Sequence, residues 1–430
     1  MTRLKILFCE VFFMAIWHIN GGNRLEGACF IQGSKNAALP ILAASVISAN
    51  ETDLLNVPQL SDVSSTLRIL RQLGCTAEQQ NNDVYIDSRS LNCCTIPQGM
   101  MECMRSSVLF MGALLARCGE VHLTAPGGCK LGARPIDLHV NAMRSLGASV
   151  EENGCEIICR AEKLTGGRIE LPFPSVGATE NAMIAACGAS GETVISGAAR
   201  EPEIVDLQEY LRKLGAYISG AGTSTVTVSG FEPERHAGHR IIPDRIVAST
   251  FLCAAAATGG DIELRGVNSR QFLRLQHFLN SAGCDIINSK RSVRLKSDGH
   301  LNAVDSVVTE PYPGFPTDAQ PILMAALLKA KGKTKFREDI FDSRFCHASQ
   351  LMRFGADISI DGIEATVWGV RSLKGATVSS TDLRGGAAMV IAALSADGSS
   401  SVIDAGHITR GYELFDYKLR SLGADIFTEI

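Results

Sequence analysis

Leu214-Gly215-Ala216-Tyr217-Ile218-Ser219 reads as the end of a helix, a turn glycine and the start of a strand, and the same punctuation recurs along the whole chain. It returns as Leu73-Gly74-Cys75, Leu146-Gly147-Ala148, Ala282-Gly283-Cys284, Phe354-Gly355-Ala356 and Leu422-Gly423-Ala424. The six glycines therefore stand 73, 68, 68, 72 and 68 residues apart. A fixed period of this length marks a repeat architecture. An amphipathic run leads into each glycine, as Leu67, Leu70 and Leu73 do at helical spacing. An alternating run follows, as in Asp357-Ile358-Ser359-Ile360. Glycine is expected at the junction because it closes a helix in the left-handed conformation without a side-chain clash.

A second helix per unit is expected from small-residue runs at Ala37 to Val46, Ser107 to Ala116, Ala178 to Ala189, Ala248 to Ala257, Ala319 to Lys329 and Gly385 to Leu394. Their alanine content suits helices packed closely inside others. Six such α/β units could build a solenoid, a closed ring or two lobes of three. A linear array carries polar caps, which the ends of this sequence lack, so two lobes are expected. The chain then crosses between lobes near its start and near its middle, with the break at Ile242-Pro243-Asp244-Arg245. Residues 1–34 with 243–430 would form lobe I and residues 35–242 lobe II, with a cleft between them suited to a polar substrate.

Composition narrows the class. The 430 residues carry 41 Lys and Arg against 45 Asp and Glu, a net charge of −4, so the chain has no nucleic-acid footprint and no patch for an anionic membrane. Its cations must matter locally. No run reaches about 20 uninterrupted apolar residues, the length a spanning helix needs. The run Ile6 to Trp17 behind Arg3 and Lys5 superficially resembles a signal peptide, but Glu10 interrupts it and no cleavage site follows. Residues 1–13 are expected to be an extension before a first strand, Ala15-Ile16-Trp17-His18-Ile19. The 14 cysteines are scattered without framework spacing, which fits a reduced, cytoplasmic protein better than a disulfide scaffold. Neither Cys93-Cys94 nor Cys155 with Cys159 comes with histidines at zinc-ligand spacing, so no metal and no cofactor is expected.

The candidate chemistry lies in loops. Ala125-Pro126-Gly127-Gly128-Cys129-Lys130-Leu131-Gly132-Ala133-Arg134-Pro135-Ile136-Asp137 combines three glycines, two prolines, a thiol and two cations. Positive charge beside Cys129 favours its thiolate; a buried structural cysteine in a turn is the other reading. Lys35, in Gly33-Ser34-Lys35-Asn36, precedes a helix, where ammonium and helix N-terminus can address one anion together. Arg105, Arg134, Arg344, Arg384 and Arg410 recur at matching places in the repeats. Each alone reads as a solvated or salt-bridged surface residue. Together they suit a substrate bearing phosphates and a carboxylate. Asp318, after three prolines at a helix start, is the candidate base, with an N-cap aspartate as the alternative.

Gly33-Ser34-Lys35-Asn36-Ala37-Ala38-Leu39-Pro40, the Cys129 loop, Arg200-Glu201-Pro202-Glu203-Ile204-Val205-Asp206, Phe315-Pro316-Thr317-Asp318, Asp382-Leu383-Arg384 and Arg410-Gly411-Tyr412-Glu413 resemble, in order and spacing, the UDP-N-acetylglucosamine 1-carboxyvinyltransferase family of enolpyruvyl transferases. The resemblance runs from about His18 to the C-terminus. It implies a two-lobed inside-out α/β barrel of six βαβαββ repeats, three per lobe. It also implies enolpyruvyl transfer from phosphoenolpyruvate to the 3′-hydroxyl of UDP-N-acetylglucosamine, the first committed step of peptidoglycan synthesis. Carried over by position, Cys129 is the acid to C3 of phosphoenolpyruvate and Asp318 the base at the sugar hydroxyl. Lys35, Asn36, Arg105, Arg134, Arg344, Arg384 and Arg410 form the anion site. Pro135, Ile136, Asp137, Leu138, Ser175, Val176, Gly177 and Ile340 complete the nucleotide-sugar contacts. Phe173 stands where some members carry a lysine. The cysteine loop separates this reading from a shikimate-directed transferase, and the acid and base together separate it from a non-catalytic UDP-sugar binder.

Overall fold

The computed structural model describes residues 14–126 and 136–429. The expectations for Cys129, Arg134, Pro135 and residues 1–13 lie outside these. All six repeat glycines adopt positive φ, between 89° and 113°, so the punctuation is the left-handed helix exit that the spacing predicted.

Apart from the six-residue helix Gln98–Cys103, the helices alternate along the chain between two kinds. The inner kind comprises α1 (Lys35–Ala44), α3 (Phe110–Cys118), α5 (Val176–Ala186), α7 (Arg245–Thr258), α9 (Gln320–Ala326) and α11 (Leu383–Leu394). The outer kind comprises α2 (Ser61–Gln72), α4 (Asp137–Ser145), α6 (Pro202–Leu214), α8 (Leu273–Ser281), α10 (Ala348–Leu351) and α12 (Phe415–Ser421). Inner helices are buried nearly all round; α7 buries Arg245 through Ala257 without a gap. Outer helices bury one stripe, as α2 does with Val63, Thr66, Leu67 and Leu70. The alanine-rich runs are the inner helices, with α9 ending earlier than the run to Lys329 implied. Small residues permit the contact: a Cβ on Gly112 of α3 would stand 2.4 Å from Asn181 Oδ1 of α5.

The inner helices pack as two trios, α1 with α3 and α5, and α7 with α9 and α11. Six sheets surround them, five of four strands and one of three. Each four-stranded sheet joins one parallel pair to antiparallel neighbours. Thus Arg168–Glu170 runs parallel to Thr193–Ser196, which is antiparallel to Thr225–Phe231. In the three-stranded sheet a single parallel bridge, Thr95 to His122, stands in place of the missing pair.

The buried apolar side chains separate into two clusters. One draws on residues 17–31 and 247–426, the other on residues 37–241. The chain passes between them at residues 32–36 and 242–246, and these passages lie side by side. Ser34 N donates to Ile242 O at 2.7 Å, Asp244 N donates to Gln32 O at 2.9 Å, and Gly33 bridges Pro243. No room exists there for a side chain, because a Cβ on Gly33 would stand 1.8 Å from the Asn56 carbonyl oxygen. Gly33→Ala is therefore expected to destabilise the protein by roughly 1–3 kcal/mol, the usual range for overpacking. A lowered urea midpoint with unchanged slope checks it; a wild-type midpoint would refute the steric account.

Candidate active site

The site begins where inner helices start. Ser34 caps α1, its hydroxyl accepting from Ala37 N at 3.3 Å, and Lys35 is the first helical residue. Asp244 caps α7, Oδ1 accepting from Ile246 N and Val247 N at 2.9 Å each. Its second oxygen accepts from Lys35 N at 3.3 Å. One carboxylate therefore joins the N-termini of two inner helices from the two core clusters, where its charge also complements their dipoles.

Two carboxylates are each shared by two cations. Asp62, in the first turn of α2, accepts from Lys35 Nζ at 3.1 Å and from Arg410 Nε at 2.8 Å. Asp318 accepts from Arg344 Nη2 at 3.0 Å on one oxygen and from Arg384 Nε and Nη2 at 3.2 and 3.1 Å on the other. Burial acts to raise the pKa of Asp62, but Lys35 and then Arg410 outweigh it and hold the group below its ordinary 3.8. At Asp318 burial is likewise overcome, by Arg384, Arg344 and Lys35 in that order, and the carboxyl lies far below the usual range. Lys35 thus acts on both carboxylates, and Asp382 Oδ1, 3.8 Å from Arg344 Nη1, adds a further buried acid to the four cations.

Supporting contacts hold the arginines. Arg344 is 1% exposed and donates Nε and Nη2 to the Thr317 carbonyl at 3.0 and 2.8 Å. Arg384 follows the helix cap Asp382, lies with its guanidinium carbon 5.6 Å from the Tyr412 ring centroid, and meets the Tyr412 hydroxyl at 3.3 Å. That hydroxyl also bonds Thr250 of α7 at 2.9 Å. Glu338 ties the Ile340 loop to the base candidate, accepting from Thr317 Oγ1, Ile340 N and Phe341 N at 3.0, 2.9 and 3.0 Å.

Of the expected site residues, Lys35, Asp318, Arg344, Arg384 and Arg410 are brought together, with half-buried Asn36 beside Lys35. Asp318 does not cap a helix: it lies within the short turn Thr317–Ala319, whose cap position is Pro316, and its oxygens face the arginines. A second group gathers around His139. Gly177, at the start of α5, faces this ring closely enough that a Cβ would meet Cε1 at 3.2 Å. Burial and the charge of Arg105 push His139 down to about 4, so it is neutral, and Asn181 Nδ2 donates to its Nδ1 at 3.0 Å. Ile136, exposed Asp137 and Leu138 flank this ring at the start of α4, while Ser175 caps α5 ahead of Val176.

Sequence reasoning missed Asp62, Asp244, Glu338 and Tyr412, whose types and spacing are those of ordinary helix-start and core residues. It also missed an acidic pocket in which Arg245 Nε donates to Glu203 at 3.0 Å. Glu201 there accepts from Tyr312 N at 3.4 Å. Buried Glu180 beside them is pushed well above its ordinary value by burial and by Glu203 and Glu201. A cavity of about 840 Å³ opens next to this pocket, walled by Pro172, Pro174 and Arg200 from one core cluster's side and by Arg270, Phe272 and Tyr312 from the other's. Lys35 and Asp318 are not among its walls.

This fold and its paired cation–carboxylate groups define the class. The family model of EPSP synthase (3-phosphoshikimate 1-carboxyvinyltransferase) matches residues 19–419. The same overall fold is found in the enolpyruvyl transferase NikO from Streptomyces tendae, with a TM-score of 0.88 at 24% identity over 96% of this chain and 99% of that one. It is found also in EPSP synthase from Acinetobacter baumannii, with a TM-score of 0.75 at 19% identity over 97% of this chain and all of that one. Sequence is more specific. The chain is 44% identical over 413 residues, 96% of its length and 99% of the relative's, to UDP-N-acetylglucosamine 1-carboxyvinyltransferase 2 of Caldanaerobacter subterraneus subsp. tengcongensis. It is 45% identical over 417 residues to the UDP-N-acetylglucosamine 1-carboxyvinyltransferase of Finegoldia magna. The chain belongs to the UDP-N-acetylglucosamine 1-carboxyvinyltransferase family.

Both shared carboxylates titrate lower folded than unfolded. The stability they contribute is complete above the ordinary 3.8 and drains away as pH falls below it. Asp62→Asn and Asp318→Asn are each expected to flatten the acid limb of a urea-midpoint against pH curve. An acid limb identical to wild type in both variants would show that these ion pairs add nothing to stability.

Proposed function

We propose that this chain transfers the enolpyruvyl group of phosphoenolpyruvate to the 3′-hydroxyl of UDP-N-acetylglucosamine, releasing phosphate. This is the first committed step of peptidoglycan synthesis, and the reading places the protein in the cytoplasm with its water-soluble substrates. The observation that carries the mechanism is Asp318 held between Arg344 and Arg384 within the field of Lys35. Identity to named relatives over nearly the whole chain supports the choice of substrates.

The chemistry has two balanced steps. In the addition, the sugar oxygen bonds to C2 of phosphoenolpyruvate while its proton goes to Asp318 and C3 receives a proton from Cys129. In the elimination, C3 gives a proton back to the Cys129 thiolate, the bond from C2 to the phosphate oxygen breaks, the proton taken by Asp318 passes to the departing phosphate, and the enol ether stays on the sugar. A placed acid and base contribute about 10²- to 10⁴-fold each. The intermediate bears phosphate and carboxylate on one carbon, and rigid cations around it stabilise the charge without reorganising. Lys35 and Arg410 suit the phosphate, and Arg344 and Arg384 lie beside the base. Asp318 flanked by two guanidiniums is a weak base. An anionic substrate that engages those cations lessens their hold and raises its basicity, so the base becomes competent when substrate is present.

Arg105 is assigned to the anion cluster, Arg134 to the phosphate side and to the nucleotide, and Pro135, Ile136, Asp137, Leu138, Ser175, Val176, Gly177 and Ile340 to the nucleotide sugar. The cavity beside Pro174 falls within the usual size range of small-molecule sites, about 300–1,000 Å³. The fold is read as a two-lobed inside-out barrel of six repeats, with lobe I at 1–34 plus 243–430 and lobe II at 35–242. The two trios of inner helices and the two core clusters support that division.

Phosphate release is expected from phosphoenolpyruvate with UDP-N-acetylglucosamine and not with shikimate 3-phosphate; the opposite preference would overturn the substrate assignment. Asp318→Ala should lose at least about 10²-fold in kcat, the low end for a general base, while binding of the UDP-sugar survives. Cys129→Ser should abolish steady-state turnover, and fosfomycin should inactivate the protein through a covalent adduct on Cys129. An adduct on another cysteine, seen by peptide mass spectrometry, would remove Cys129 from its role.

A further inference from the structure

We propose that Asp62 is a positioning residue for the phosphorylated substrate: its carboxylate holds Lys35 and Arg410 together at one point of the cleft, and so sets how tightly that substrate binds. The inference rests on the reaction proposed above.

Three observations carry it. First, the two cations meet on one atom, since Asp62 Oδ2 lies 3.1 Å from Lys35 Nζ and 3.5 Å from Arg410 Nη2, with Oδ1 taking Arg410 Nε at 2.8 Å. Two positive groups this close repel, and without an anion between them their long side chains would swing apart. Second, the carboxylate sits behind the cations. Its side chain is 7% exposed, against 11% for Lys35 and 19% for Arg410. Of the three groups, the guanidinium and the ammonium are the more accessible to a ligand, and Asp62 the least.

Third, the contact joins distant parts of the chain. Lys35 and Asp62 border the cluster of residues 37–241, whereas Arg410 comes from the segment 410–413, whose packing partners lie in the other cluster. Glu413 of that segment accepts from Gln59 N at 2.9 Å and from Asn82 Nδ2 at 2.7 Å, so the segment is held against α2 beside the ion pair. Asp62 therefore brings a cation from one core cluster to a cation at the edge of the other. A phosphate arriving there meets a pair already oriented, and the entropy of ordering two flexible side chains has been spent in folding.

The direction of effect separates positioning from bulk charge. If Asp62 only added negative charge near an anion site, removing it would tighten anion binding. A positioning role requires the reverse. Asp62→Asn and Asp62→Ala are compared with Asp62→Glu by steady-state kinetics, by calorimetric titration with phosphoenolpyruvate alone and by thermal unfolding; having both truncations covers the case in which one does not fold. The expected result is at least a tenfold rise in KM and Kd for phosphoenolpyruvate, with KM for UDP-N-acetylglucosamine within twofold of wild type and partial recovery in Asp62→Glu. Phosphoenolpyruvate binding as tight as or tighter than wild type overturns the proposal. So does equal weakening for both substrates, or no recovery with glutamate. Calorimetry does not need turnover. Wild-type protein that binds phosphoenolpyruvate yet releases no phosphate would sink the proposed reaction alone and leave Asp62 to be judged on Kd, whereas wild-type protein that does not bind it sinks both.

Discussion

Two buried or half-buried carboxylates, each divided between two cations, organise this molecule's cleft. A cluster of Lys35, Arg344, Arg384 and Arg410 without counter-charge would be driven apart by mutual repulsion, and a buried guanidinium without a partner is costly. Asp62 and Asp318, with Asp382 beside Arg344, solve both problems. A site that must accept a phosphate and a carboxylate has to be basic before they arrive, and it has to be basic in a fixed geometry.

The repeat architecture delivers those side chains. Five of the six inner helices begin at or beside a residue described above: Lys35 for α1, Ser175 before α5, Arg245 for α7, Asp318 just before α9, and Arg384 in the first turn of α11. A helix start is also where backbone N–H groups and the positive end of the dipole are exposed. Where two such starts meet, their backbone N–H groups and the lysine and arginines add up. Asp244 shows this directly, since it caps α7 and reaches the first amide of α1 across the paired crossing segments.

Much of this could be read in advance. The six glycines, the alternation of amphipathic and alanine-rich helices, and the crossing near Pro243 follow from local rules: a glycine exit, a 3.6-residue period, small side chains where helices touch. The cations were visible for a similar reason, because they recur at two kinds of place: Lys35 and Arg384 at the starts of inner helices, Arg344 and Arg410 in short turns ahead of outer ones. Asp318 was visible but open to two readings, and the turn Thr317–Ala319 removes the capping one by leaving its carboxylate outside any cap. Asp62 was not visible, since an aspartate in the first turn of a helix is commonplace and its sequence neighbours carry no sign of its partners.

What the chain's own order of residues determined is the six glycine helix exits, their spacing, and the alternation of amphipathic with alanine-rich helices. Tertiary structure alone decided which charges meet. Asp62 lies 27 positions from Lys35 and 348 from Arg410, and Asp318 lies 66 from Arg384. Periodicity and capping act over a few residues and leave a pattern in the sequence, whereas the Coulomb energy of a pair depends only on separation in space and on the shielding around it. That separation exists only in the folded chain, where the two cores are formed and the crossing segments set one against the other.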